Sequence, residues 1–148
     1  MHFHGYLWTG PKQQFDQEGL RRPTHPDPPP PGSKPELIQR YREVVADFPV
    51  SDLPPLETAH WLMKPGKLVQ DTWEEAKRAA EWLGERLTEY APRFASASDR
   101  DVTRMAALIN SAADQVGWGG DVSIGFYLER PSFLSLALDV VSYGVTLR

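Results

Sequence analysis

Cysteine is missing from all 148 residues of the chain. Without cysteine there is no disulfide framework, no thiolate nucleophile and no cysteine-based zinc cluster. Such a composition is typical of proteins in a reducing compartment. We therefore expect a cytoplasmic protein.

Long apolar runs and blocks of positive charge are also lacking. No stretch approaches the roughly 18 consecutive apolar residues of a membrane-spanning helix, and the first residues do not show the charged and then apolar pattern of a signal peptide. The formal net charge is -4, and no run of lysine and arginine forms a basic stripe. We therefore predict no membrane association and no nucleic-acid partner.

Motifs that specify a reaction are absent as well. The sequence contains no G-x-S-x-G, no G-x-x-x-x-G-K-[ST] and no H-E-x-x-H, which are patterns typical of hydrolases, phosphate-binding loops and zinc peptidases. The sequence therefore assigns no catalytic residue and predicts no cofactor.

The composition is that of one ordinary globular domain over residues 1–148, with 41% hydrophobic and 24% charged residues. Its clearest interruption is a proline-rich segment at residues 23–35, where seven prolines prevent regular helix or central strand. We interpret this segment as a stiff spacer. A polyproline ligand for an aromatic groove is the alternative.

Apolar residues at helical spacing predict three longer helices after the spacer. The first follows a capping pattern at Ser33 and Glu36 and ends before Pro49, and the second follows a similar pattern at Asp71 and Glu74 and ends at Pro92. The third runs from about Ser98 to Gly117. A short helix is also predicted between residues 56 and 64.

Alternating apolar and polar residues predict three strands, one at the N-terminus and two in a C-terminal hairpin that turns at residues 129–132. Residues 143–148 fit either a last strand or a tail. Because helices and strands do not alternate, the predicted fold is an α+β two-layer sandwich. In it, a small antiparallel sheet is covered on one face by three to four helices.

Strand parity assigns ten apolar residues to the face beneath the helices. They are Phe3, Leu7, Val122, Ile124, Phe126, Leu128, Leu134, Leu136, Leu138 and Val140. The opposite face then collects the candidate binding residues, namely His2, His4, Tyr6, Trp8, Tyr127, Glu129 and Asp139. Rings that are apolar in body and polar at the tip are enriched in docking surfaces.

Three hypotheses fit this opposite face. The loop after Trp8, including Phe15 and Leu20, folds back over the rings; or the face docks another protein; or it holds a metal or catalytic site. Two residues along a strand place His2 and His4 about 6 to 7 Å apart, within reach of one ion. Candidate further ligands are Glu129, Asp139, His60 and His25.

The main functional hypothesis is a small cytoplasmic interaction protein, of an inhibitor or immunity type, that presents this aromatic and histidine face. Its partner is another protein or a second copy of the chain. The alternative is a small metal-dependent or acid-base enzyme centred on His2 and His4. No metal ligand set is assigned.

Overall fold

The computed structural model describes residues 1–142. Its centre is an antiparallel sheet of four strands in the order β2-β1-β4-β3. The strands are β1 (His2–Pro11), β2 (Asp71–Trp73), β3 (Val122–Tyr127) and β4 (Ser132–Val141). The predicted strand or tail at residues 143–148 lies outside the described residues.

The longest ladder joins the N-terminal strand to the last described strand. It runs from the pair His2 and Val141 to the pair Pro11 and Ser132, and β3 completes the predicted hairpin with β4. Aromatic and β-branched residues dominate these segments and favour extended backbone. The strand β2 was not predicted, and it pairs with β1 through only three residues.

Four α-helices are present in the described part of the chain: α1 (Lys12–Phe15), α2 (Pro35–Asp47), α3 (Ala76–Tyr90) and α4 (Val102–Gly117). Short 3-10 helices lie at Glu18–Leu20, Thr58–Met63, Gly66–Leu68, Ala91–Arg93 and Ser98–Arg100. The one at Thr58–Met63 agrees with the short helix predicted there. No helix in residues 1–142 combines the length and the apolar character needed to cross a bilayer.

The main core lies between the sheet and the pair α3 and α4. All ten apolar residues assigned to this face by strand parity belong to one hydrophobic cluster there. Leu83 and Leu87 of α3 and Val116 of α4 enter the same cluster from the helical side. The α+β sandwich and the predicted apolar face of the sheet are therefore confirmed.

Two helix starts differ from the prediction. Ser33 does not cap α2, because its hydroxyl binds the carbonyl of Pro30 and Pro35 occupies the first turn. Asp71 does not cap α3, because residues 71–73 join the sheet as β2 and the helix begins only at Ala76. In α4 the cap is Asp101, whose carboxylate accepts a hydrogen bond from the Arg104 N–H at 2.9 Å.

A second cover lies on the other face of the sheet, where the predicted sandwich had no layer. It is built from residues 12–70, and its side chains form two smaller apolar clusters with that face. The helix α2 belongs to this part of the chain but buries none of its own residues. Two long helices, rather than three or four, therefore cover the main core.

Because Leu136 lies in the main core, we expect its side chain to contribute strongly to the free energy of unfolding. Its side chain is fully buried beneath the helices, so Leu136→Ala is expected to lower the free energy of unfolding by about 2 to 5 kcal/mol in urea denaturation. The matched control, Leu37→Ala on α2, removes a side chain that is 52% exposed and is expected to change it by less than about 0.5 kcal/mol. Equal losses would contradict this core.

Candidate functional site

Four of the candidate residues lie on the predicted side of the sheet, three on β1 and one on β4, but they are not exposed. His4, Tyr6, Trp8 and Asp139 are between 0% and 6% exposed. Of the three hypotheses for this face, an open docking face is therefore wrong for these four residues, whereas a cover by another part of the chain is present. The helices α3 and α4 cover only one face of the sheet. The large rings on the other face are buried from water only because another segment of the chain packs on them.

The cover comes mainly from residues 48–69. Trp61 stacks on Tyr6 with ring centroids 4.3 Å apart and planes 8° apart. Leu53 packs against Trp8 and Phe133 in a separate cluster. Of the two residues expected to fold back, Phe15 does contact the Trp8 ring. Leu20 remains exposed.

A buried lysine fixes this cover to the end of α2. The Lys64 ammonium donates hydrogen bonds to the carbonyls of Phe48 and Ser51, each at 2.8 Å, and lies 4.1 Å from the centroid of the Phe48 ring. Burial lowers the pKa of Lys64 to about 8. The charge is thus held by carbonyl dipoles and a ring face rather than by water.

Beneath the cover, four of the predicted residues form a polar cluster, which we call the His-Asp cluster: His2, His4, Tyr6 and Asp139. The Nε2 atoms of His2 and His4 are 3.1 Å apart. Asp139 on β4 is the direct cross-strand neighbour of His4, and the Tyr6 ring lies edge-on to His4.

Several polar atoms of the His-Asp cluster are buried without a hydrogen-bond partner among the described residues. They are Nδ1 of His4, the hydroxyl oxygen of Tyr6 and both carboxyl oxygens of Asp139. Such atoms typically cost about 1 to 3 kcal/mol each. Their concentration at one place marks the cluster as a candidate functional site.

Burial also controls protonation in the cluster. Burial, followed by the charge of Asp121, raises the pKa of Asp139 to about 8. Burial lowers the pKa of His4, with a smaller contribution from His2, and burial raises the pKa of Tyr6. At neutral pH the buried groups His4, Tyr6 and Asp139 are therefore uncharged, and the carboxyl group of Asp139 carries a proton.

The other predicted residues lie elsewhere. Trp8 belongs to the cluster with Leu53 and Phe133. Tyr127 is 58% exposed and meets the edge of Phe133. Glu129 is exposed and accepts a hydrogen bond from Nε of Arg93 at 3.0 Å.

Sequence reasoning missed three residues of this region: Trp61, Lys64 and Asp121. Trp61 lies among apolar neighbours in the segment predicted as a short helix, which was the available signal. Nothing in the local sequence distinguishes Lys64 from a surface lysine. Asp121 stands just before β3, where its carboxylate accepts the Val140 N–H at 2.7 Å and so comes close to the His-Asp cluster.

A second candidate site lies on the outer side of β3 and the adjoining part of α4. We call it the β3–α4 surface, and it comprises Ala107, Leu108, Ser111, Ser123, Ile124, Gly125 and Tyr127. Leu108 and Ile124 are half-buried and line two shallow cavities of about 230 and 380 Å³. Among residues 1–142, no strand pairs with the outer edge of β3.

Neither site contains a complete metal centre. In the described part of the chain, no group of three or more histidine, aspartate or glutamate side chains is arranged to hold a metal ion. His60, a predicted further ligand, instead lies 3.4 Å from the Glu57 carboxylate.

Comparisons with protein-family models, with curated proteins and with solved structures find no match for this chain.

The raised pKa of Asp139 predicts a particular pH dependence. The unfolded chain releases this proton near pH 3.8 and the folded chain near pH 8, so the folded state is stabilised at low pH and loses that stability as the pH rises between these values. In the wild-type chain the free energy of unfolding is expected to fall by a few kcal/mol as the pH rises, because one pKa unit corresponds to about 1.4 kcal/mol. Asp139→Asn is expected to remove this decline. Urea unfolding at pH 5 and pH 8 measures it.

The matched control is Asp47→Asn, which changes an exposed carboxylate on α2. This variant is expected to keep the decline of the wild-type chain. An unchanged decline in Asp139→Asn would show that Asp139 does not bind its proton in the folded state.

Proposed function

We propose that this chain is a small cytoplasmic protein-interaction module, of an inhibitor or immunity type, that docks through the β3–α4 surface. The supporting observation is the outer edge of β3. It offers backbone donors and acceptors to which no other described strand is paired. Edges of this kind are templates for pairing with another chain.

The two edges of the sheet differ in their protection. The strand β2 is only three residues long and begins with the charged Asp71. The strand β3 has six residues, V-S-I-G-F-Y, with no charge and no proline. Short length, charge and proline are the usual devices that keep an edge from pairing, and β3 has none of them.

The neighbouring helix supports the same proposal. Residues 105–113 of α4 contain no charged residue. Val102 and Ala106 of α4 are exposed, Val102 to 75%. An uncharged helix face beside an open strand edge resembles the centre of an interface, where charged residues are depleted.

Site-specific photocrosslinking tests this proposal in cells that naturally produce the chain. A photoreactive residue at position 123, on the β3 edge, is expected to give a defined adduct with one partner. The same residue at position 72, on the protected edge, is the matched control and is expected to give none. The adduct is read by mass spectrometry, which also separates a second copy from a different protein.

A second variant makes the adduct specific to this surface. Ala107→Glu places a charge on the exposed side of α4 and is expected to reduce the yield at position 123 at least tenfold, as a loss of about 1.4 kcal/mol of binding would. Equal adducts at positions 123 and 72, or none at either, would contradict the proposal.

A second candidate function is a small metal-dependent enzyme at the His-Asp cluster. The observation that favours it is the convergence of two imidazole Nε2 atoms, 3.1 Å apart, beside the buried carboxyl group of Asp139. Two ligands of one zinc ion lie at a similar separation, since each bond is about 2.0 to 2.1 Å long. Substrate or water would complete the coordination.

Elemental analysis of the untagged protein tests this second candidate. Stoichiometric zinc, nickel or iron is expected in the wild-type chain, and His4→Ala is expected to lower the content at least tenfold. His60→Ala, at a half-buried histidine outside the cluster, is the control and is expected to keep the metal. A wild-type chain without metal would exclude a metal-dependent reaction at this cluster.

A further inference from the structure

We infer that the occupant of the β3–α4 surface is a second copy of this chain. The two copies pair through β3 in antiparallel orientation, and Ile124 lies opposite the partner copy's Ile124 across the two-fold axis. The two sheets would then form one sheet of eight strands. This inference rests on the proposed function and names its partner. Three features support it: the direction of the β3 backbone groups, the registers that two-fold symmetry allows, and the positions of the charged residues.

The direction of the β3 backbone groups follows from two hydrogen bonds. Leu128, just after the strand, donates its N–H to Ser132 and so points toward β4. The Tyr127 carbonyl accepts from the Ala95 N–H at 2.9 Å and so points outward. Because these directions alternate along an antiparallel strand, the groups of Ser123 and Gly125 also point outward.

Only two registers centre the pairing near the middle of β3. In a two-fold pair, residues that oppose each other must lie on the same face of the sheet. One residue therefore opposes its own counterpart across the axis, and near the middle of β3 this residue is either Ile124 or Gly125. An axis at Gly125 would oppose Ser123 to the partner copy's Tyr127. That pairing needs the Tyr127 carbonyl, which already binds Ala95.

With the axis at Ile124, none of the backbone hydrogen bonds of the pair needs the Tyr127 carbonyl. This axis opposes Ser123 to the partner copy's Gly125, and the reverse, so that two residues in each chain exchange four backbone hydrogen bonds. The N–H and C=O groups of Ser123 and Gly125 are then all used on each chain. Ile124 then forms the central pair without hydrogen bonds, in which side chains approach most closely.

Charge favours the same register. An axis at Gly125 would bring Asp121 opposite the partner copy's Glu129, whereas the axis at Ile124 avoids this pairing of two acidic residues. On the helical side the two α4 helices run antiparallel, so Arg104 near the start of one helix lies toward the partner copy's Asp114. Between these ends, the facing segments 105–113 carry no charge.

The side chains on the axis also suit a second copy. Ile124 and Leu108 are half-buried and line the two shallow cavities beside the edge. The Ile124 and Leu108 side chains of the partner copy reach the same position by symmetry and fill this space. Apolar area that is open in one copy is thereby buried in the pair.

The absence of cysteine makes a direct test of this register possible. Across a pair without hydrogen bonds the Cα atoms are about 4.5 Å apart, which is within the range that a disulfide spans. Ile124→Cys is therefore expected to form a covalent dimer of twice 16.7 kDa on mild oxidation. Ser123→Cys, whose counterpart lies two residues away along the pair, and Thr72→Cys, on the other edge, are expected to stay monomeric.

Sedimentation of the full cysteine-free chain over a concentration series gives an independent readout. The wild-type chain is expected to show a reversible dimer, and Ser123→Lys and Ala107→Glu are each expected to raise its dissociation constant at least tenfold. Thr72→Lys is the matched control and is expected to leave it unchanged. Circular dichroism checks that each variant is folded.

The possible results separate this inference from the proposed function. A folded wild-type chain that stays monomeric, and an Ile124→Cys variant that does not crosslink, overturn the second copy. If position 123 then still gives a photocrosslinked adduct with a different protein, the interaction module stands. A dimer that crosslinks equally through positions 72 and 124 overturns the β3 register.

Discussion

The long antiparallel ladder between β1 and β4 determines the rest of the structure. It joins ten residue pairs, so the side-chain direction of every residue in both strands is fixed at once. Apolar residues at one parity meet α3 and α4. The rings, the histidines and Asp139 at the other parity must then be covered by a different part of the chain, which is why residues 12–70 form a second layer without long helices packed on the sheet.

The second layer buries polar groups, which lowers the free energy of unfolding relative to an apolar layer. Lys64 is satisfied by two carbonyls and a ring, whereas Asp139 buries a carboxyl group whose neighbour is another acid, Asp121, and Nδ1 of His4 has no partner in the described chain. A purely structural layer would favour apolar residues at these positions. The contrast between a satisfied lysine and an unsatisfied carboxyl group, both beneath one cover, separates a structural polar contact from a candidate functional one.

Hydrophobic periodicity and strand parity predicted the helices and the two faces of the sheet. They did not predict the contacts between segments that are distant in the sequence. Alternation at residues 133–141 was enough to place Leu136 beneath the helices, and alternation in the N-terminal strand placed Tyr6 on the other side. Nothing local indicated that Trp61 would stack on Tyr6, since the two residues are 55 positions apart. Asp71 showed a capping pattern, but pairing with β1 outweighed it, because a ladder adds hydrogen bonds that a cap alone does not.

The short strand β2 has a consequence for assembly. In a pair joined through β3, each outer margin of the combined sheet would be a β2 strand of three residues that begins with an aspartate. Such a margin is a poor template for further addition. Growth would therefore stop at two chains, and the same sheet that permits association would give a closed particle instead of an extending fibre.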